Sequence, residues 1–169
     1  RKNILADFYI KTDQYAEAEK LLLSNIEEQI QFFGSDKTSL SAITYLLLSM
    51  ASTHIKAPQK ENITQLEKVI DIFQNTYKSD DKHRLQALAW RVMGQALVMQ
   101  KNISEALEAF LKSEKIYKNV FQNLNVPDVE VLYFQIIASA IKNNAHRLSV
   151  EYLQHYKNIF GVENSRYSD

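Results

Sequence analysis

The four histidines of this sequence, His54, His83, His146 and His155, are the residues with the clearest potential for metal or proton chemistry. Two histidines on a helix can bind one metal ion when they stand one turn apart on the same face, and no pair has that spacing. The sequence contains no cysteine, which excludes a thiolate metal site as well. We therefore expect no metal and no cofactor.

The other candidates for chemistry are adjacent polar residues. Glu27–Glu28 and Asp80–Asp81 are neighbours in sequence, so their side chains diverge on a helix and suit paired acid–base catalysis poorly. Glycine occurs only three times, too rarely for phosphate-binding loops, and no nucleophile elbow is present. The sequence leaves a scattered Ser/His/Asp arrangement open, but we predict that the chain is not an enzyme. Two glycosylation sequons begin at Asn62 and Asn102, and we expect both asparagines to act as helix caps instead.

Composition points to a folded chain. The 169 residues carry 20 basic and 20 acidic side chains, and 46% of them are hydrophobic. Balanced charge disfavours nucleic acid and anionic membrane surfaces as partners. The uncharged stretch 38–54 reaches only the lower limit for crossing a bilayer, and Ser and Thr are scattered through it, so we expect a buried helix instead. The absence of cysteine favours a cytoplasmic location, and the periodic pattern at the start suggests part of a longer chain or assembly.

The elements that must position any site are helices. Apolar residues recur at spacings of three and four, and Gly and Pro are scarce. This pattern predicts helices over 2–12, 15–33, 38–56, 62–78, 82–100, 103–122, 128–143 and 146–160.

The sequence also repeats itself. Residues 59–73 resemble 99–113, and YKNVF at 117–121 returns as YKNIF at 156–160. A small residue within an apolar face recurs about every 44 residues, at Ala6, Ala51, Gly94 and Ala138. We predict one repeat domain over 1–161, with repeats at about 1–35, 36–79, 80–124 and 125–161, followed by a polar tail at 162–169.

The repeats resemble the tetratricopeptide repeat, whose pattern is Trp, Leu-Gly, Tyr and a later Ala-x-x-x-Phe. Residues 90–110 match it in spacing, and residues 5–22 match it as well. The matching positions are Trp90, Met93, Gly94, Leu97, Ala106 and Phe110, and Leu5, Ala6, Tyr9, Asp13, Tyr15, Ala18 and Leu22. The repeat length and the Pro-Asp-Val at 127–129 are similar to the lengthened repeats of kinesin light chains.

The resemblance implies an all-α, right-handed α-solenoid of about four antiparallel helix pairs. It also implies a non-catalytic scaffold or adaptor that binds a peptide or helix of a partner protein in a concave groove. Two alternatives stay open: the ligand-sensing half of a peptide-responsive regulator, and a purely architectural segment of a longer superhelix.

In this family the first helices of the pairs line the groove. The resemblance places there the residue after the Trp position and those four and seven further on, including the aliphatic Ile10, Ile55 and Val98. The candidate partner-binding residues are Asn3, Asp7, Leu48, Ser52, Arg91, Gln95, Gln135, Ser139 and Lys142.

Overall fold

A computed structural model of the chain describes residues 1–55, 60–76 and 83–161. Eight helices lie in these ranges, and none of the described residues belongs to a β-strand. The helices are α1 (Lys2–Lys11), α2 (Tyr15–Phe33), α3 (Ser39–Ile55), α4 (Lys60–Thr76), α5 (Arg84–Met99), α6 (Ile103–Val120), α7 (Pro127–Lys142) and α8 (His146–Phe160). The predicted helices are confirmed to within about two residues at each end. The predicted polar tail at 162–169 lies outside the described residues.

The helices stack as pairs in chain order. Each second helix packs on its own first helix and on the first helix of the next pair, and α1, α3 and α5 also contact one another in succession. Contacts are therefore made between neighbours, as in repeat proteins whose stability is a sum of pair and interface contributions. The predicted right-handed α-solenoid is confirmed.

Three hairpin turns share one backbone geometry. The first helices α1, α5 and α7 are each followed by a non-glycine residue with positive φ: Asp13 at 59°, Lys101 at 63° and Asn144 at 56°. The next amide in each turn donates back to a carbonyl in the last helical turn, which is the six-to-one bond of a Schellman motif. These bonds join Gln14 to Tyr9 at 2.8 Å, Asn102 to Leu97 at 2.9 Å and Ala145 to Ala140 at 2.8 Å.

The shared turn sets the register between pairs. Gly94, Ala6 and Ile137 each stand about two helical turns before the left-handed residue, so they are equivalent. The sequence prediction that Ala138 is the small contact residue of the fourth pair is therefore wrong, and its side chain is exposed. Alignment on the small residue misplaced α7 by one position, because a bulky isoleucine occupies the true site.

Gly94 marks a close approach between α5 and α6, as predicted. A Cβ atom added there would lie 2.4 Å from Cε1 of Phe110, well inside van der Waals contact. Ala106 is fully buried in the same core, and Phe110 is almost completely enclosed. Glycine at this position therefore allows a whole aromatic ring to pack between the two helices.

Some of the observed helix starts agree with the sequence predictions and others do not. Pro127 begins α7, as predicted, where its fixed φ suits the first turn and its missing N–H is not needed. The capping prediction is wrong for Asn62, which lies inside α4; Asn102 does occupy the N-cap position of α6, but its side chain makes no capping bond. The φ and ψ of Asn102, −89° and 71°, differ from the extended conformation that side-chain capping favours. Asp80 and Asp81, whose side chains could also cap α5, lie outside the described residues.

Candidate functional site

The candidate groove residues fall on α1, α3, α5 and α7, but they do not form one accessible surface. Leu48 is 6% exposed and Ser139 is 2% exposed, so neither can contact a partner in this conformation. Ser139 lies among the buried residues of α7, next to the buried Ala140. These two predicted contact residues are therefore structural.

Asn3 belongs to a polar network between the first two pairs. Its Nδ2 donates to Oγ1 of Thr44 at 3.0 Å, and its Oδ1 accepts from Asn25 at 2.7 Å. Nε2 of Gln29 donates to the same threonine oxygen at 2.9 Å. Thr44 and Gln29 are buried, so this network joins α1, α2 and α3 in the interior. The polar atoms of Asn3 are thus already engaged within the protein.

The remaining predicted residues are partly or fully accessible. Asp7 pairs with Lys11 at 2.6 Å, and Ser52 donates to Glu19 at 3.2 Å. Gln95 is half-buried and Lys142 is exposed. None of these contacts is enclosed, so the four side chains can rearrange around a partner.

Arg91 and Gln135 each leave a buried polar atom without a hydrogen bond. These atoms are Nε of Arg91 and Oε1 of Gln135, on α5 and α7. Arg91 lies beside Tyr117, whose hydroxyl is buried as well. Burial raises the pKa of Tyr117 to about 12, with Asp128 adding to the increase and the guanidinium of Arg91 opposing it.

When Ile137 is aligned with Gly94, an apolar stripe on α7 becomes apparent that was not predicted from the sequence. Phe134 and Ile141 are 54% and 53% exposed, and Val131 and Ala138 are exposed on the same helical face. By the shared turn geometry, Phe134 is equivalent to Arg91 and Ala138 to Gln95. We name Val131, Phe134, Ala138 and Ile141 the α7 stripe. Asn144 was the signal that could have located it, since asparagine adopts the left-handed conformation more readily than most residues.

The histidines have structural positions. The ring of His54 stacks on Tyr15 with centroids 4.2 Å apart, and His155 meets Tyr152 edge-on. Nδ1 of His83 accepts from the Leu85 amide at 3.2 Å, and burial lowers the pKa of this imidazole. Over the described ranges, no three His, Asp or Glu side chains are grouped as metal ligands. No helix in those ranges is long and apolar enough to cross a membrane.

Comparison with known proteins supports the fold. No protein-family model matches the chain, and no curated protein matches it. A crystal structure described as a Podosopora anserina kinesin light chain with nearly identical TPR-like repeats superposes with a TM-score of 0.77 and 18% identity, covering 98% of this chain and 76% of that chain. A single-residue variant of that protein gives a TM-score of 0.76 and 18% identity, covering 98% of this chain and 75% of the other. The chain is thus an α-solenoid of TPR-like helix pairs, similar in fold to that kinesin light chain.

Proposed function

We propose that the chain is a non-catalytic scaffold that binds a peptide or helix of a partner protein along its first helices. The observation that carries this proposal is the α7 stripe, a row of exposed apolar side chains at positions equivalent to those of Arg91 and Gln95. Large exposed apolar patches on folded proteins commonly mark interaction sites.

The stripe and its neighbours offer complementary kinds of contact. Phe134 supplies an aromatic anchor, and Ile141 supplies an aliphatic one about two turns further along α7. Arg91 and Gln95 on α5, and Lys142 on α7, carry donors for the carbonyl groups of a bound segment. A partner with apolar side chains on one face and polar groups on its edges fits this surface.

The test begins with peptides selected from a random display library against the immobilised chain. We expect Phe134→Ala to weaken binding of the selected peptides by about tenfold or more, as for an interface hot spot. Phe32→Ala is the matched control, because Phe32 is a phenylalanine that is 82% exposed on the second helix α2. Fluorescence anisotropy measures both affinities.

Arg91→Glu is a second variant that tests the same surface. It should weaken the selected peptides while leaving the helical circular dichroism signal unchanged. Binding that survives both Phe134→Ala and Arg91→Glu, or that depends equally on Phe32, would place the interaction elsewhere.

An architectural role is the second candidate, and the outer face of α1 favours it. Ile4, Leu5 and Phe8 are exposed there, whereas the equivalent residues of α5 are buried beneath the preceding pair. That face suits contact with another helix pair. If the display library yields no peptide while the chain associates with an added helix pair of the α3–α4 type, the architectural role replaces the scaffold role.

A further inference from the structure

A cleft of about 550 Å³ opens between the second helices α4 and α6, with α5 as its floor. Both second helices pack against α5. Their separation leaves a depression on the outer side of the second and third pairs. This depression is distinct from the α7 stripe, which belongs to the fourth pair.

The floor and walls of the cleft are apolar. Ile70, Met93, Leu97 and Ala109 line it and are largely buried, so their exposed atoms all face the cavity. Trp90, the single tryptophan of the chain, forms part of the wall and is half-buried. An occupant can therefore bury apolar side chains here, and the indole reports its arrival.

The rim of the cleft is acidic. Glu67 and Asp71 project from α4, and Glu105 and Glu108 project from α6, all of them exposed. None of these four carboxylates forms an ion pair with a residue in the described part of the chain. Lys112 is the basic residue among the lining side chains. The rim is thus strongly negative although the chain as a whole is neutral.

Lys112 shows how the wall accommodates a cation. Its Nζ lies over the Trp90 ring, 4.4 Å from the ring centroid. A cation at that distance is attracted by the negative face of the indole. The lysine is exposed and makes no ion pair in the described ranges, so an incoming cation can displace it.

We propose that this cleft binds a basic amphipathic peptide segment of a partner protein. Apolar side chains of the segment enter between α4 and α6, and its lysines or arginines lie along the carboxylates of the rim. Charge complementarity selects this occupant, because an acidic segment faces repulsion from both sides of the cleft. The proposal goes beyond the scaffold function and is independent of the α7 stripe.

The test uses a defined peptide, acetyl-KLLKKLLKKLLK-amide, and its acidic counterpart acetyl-ELLEELLEELLE-amide. We expect the basic peptide to bind and to change the Trp90 emission, with affinity that falls as salt is raised. We expect no binding of the acidic peptide. Binding of both peptides, or binding of the basic one without any change in emission, would overturn the proposal.

Matched charge variants locate the site. Glu67→Gln, Asp71→Asn and Glu108→Gln together should weaken the basic peptide by about tenfold. Glu17→Gln, Glu27→Gln and Glu151→Gln change the net charge equally at exposed positions outside the cleft and should leave the affinity nearly unchanged. Equal losses of affinity in the two triple variants would show that the peptide responds only to the net charge of the protein. That result would contradict a binding site in the cleft.

Lys112→Gln sharpens the test in the opposite direction. It removes the positive charge from the rim and uncovers the ring of Trp90, so affinity for the basic peptide should rise severalfold. A fall in affinity would overturn the proposal. Because Phe134 and Arg91 are untouched in all these variants, the results are separate from those that test the scaffold function.

Discussion

The third and fourth helix pairs use the same turn but differ in how closely their helices meet. In the third pair, Gly94 leaves room for the enclosed ring of Phe110. In the fourth pair, the equivalent positions hold Ile137 and Leu153, and the leucine is partly exposed. A small residue is therefore needed to bury a large side chain at the crossing, but it is not needed to form the hairpin.

The fourth pair gains other contacts from the third. The carboxylate of Glu114 on α6 is buried and accepts from the hydroxyls of Tyr133 at 2.9 Å and Tyr152 at 2.6 Å, with Lys118 pairing at 2.8 Å. The two tyrosines lie on α7 and α8, so one side chain of the third pair joins both helices of the fourth. The fourth pair is thus held to its neighbour by a buried polar contact as well as by helix packing.

Gly94→Leu is expected to have the largest effect, because it fills the space at the helix crossing of the third pair. The added side chain overlaps the Phe110 ring, and we expect the free energy of unfolding to fall by about 3 kcal/mol. Urea unfolding followed by circular dichroism measures the loss. The control is Gly94→Ala combined with Phe110→Leu, which reproduces the Ala6 and Leu22 pairing of the first repeat. The loss of unfolding free energy in the double variant should be smaller than the sum of the losses in Gly94→Ala and Phe110→Leu. Strictly additive losses would contradict a direct clash between the side chains at these two positions.

Glu114→Ala tests the dependence of the fourth pair on the third. It leaves two buried tyrosine hydroxyls without their charged acceptor, and we expect a loss of about 2.5 kcal/mol in unfolding free energy. Glu108→Ala on the exposed face of the same helix should change the stability by less than about 0.5 kcal/mol. Faster amide hydrogen exchange in α7 and α8 should accompany the loss in Glu114→Ala. Unchanged exchange there would mean that the two pairs are held together in another way.

High pH acts on the third pair through Tyr117, whose equivalent in the fourth pair is Phe160. Burial raises the pKa of Tyr117 to about 12, so the folded protein retains a proton that the unfolded chain releases above its usual pKa of 10. Its contribution is complete below pH 10 and is lost as pH rises from 10 to 12, a fall of about 2 kcal/mol. Burial also raises the pKa of Tyr133 and Tyr152, with Glu114 adding to both increases, and these shifts act in the same direction.

Unfolding free energies at about pH 8 and pH 11.5 measure this effect. Tyr117→Phe should flatten the alkaline decline, because the variant has no hydroxyl to ionise at this position. An equally steep decline in the variant would show that Tyr117 ionises normally.

The smallest expected difference in stability between the two pairs lies in the hairpin turns that follow α5 and α7. Lys101 and Asn144 occupy the same left-handed position, which is more costly for lysine than for asparagine. Lys101→Gly should stabilise the chain by about 0.5 kcal/mol, and Asn144→Gly should have a smaller effect. Thermal unfolding compares them. A larger gain at Asn144 would contradict the assigned strain.

Much of the fold was predictable from the sequence because its signals are local. Apolar spacing located the helices, and Gly94 with Phe110 identified a crossing since both lie within one hairpin. The fourth pair was misread because Ala138 stands beside the true position, occupied by Ile137. No glycine marks the turn at Asn144, so the sequence signal for the register is weak and the backbone geometry settles it.

The site was less predictable because it depends on which faces meet. Leu48 and Ser139 follow the groove pattern in sequence, yet helix packing buries them. The carboxylates of the cleft are far apart along the chain, at Glu67 on α4 and Glu108 on α6, and converge only when both helices pack on α5. The acceptor role of Glu114 likewise requires knowing that α6, α7 and α8 come together.

The exposed outer face of α1 affects where the helix stack unfolds transiently. Ile4, Leu5 and Phe8 receive no packing from a preceding pair in the described chain, so α1 is held mainly by α2 and α3. In a stack that opens from its ends, the least supported helix separates first. Among the described helices, α1 and α8 pack less extensively on their neighbours than α5 and α6 do, so we expect transient unfolding to be most frequent in both of these helices and to decline toward the densely packed centre.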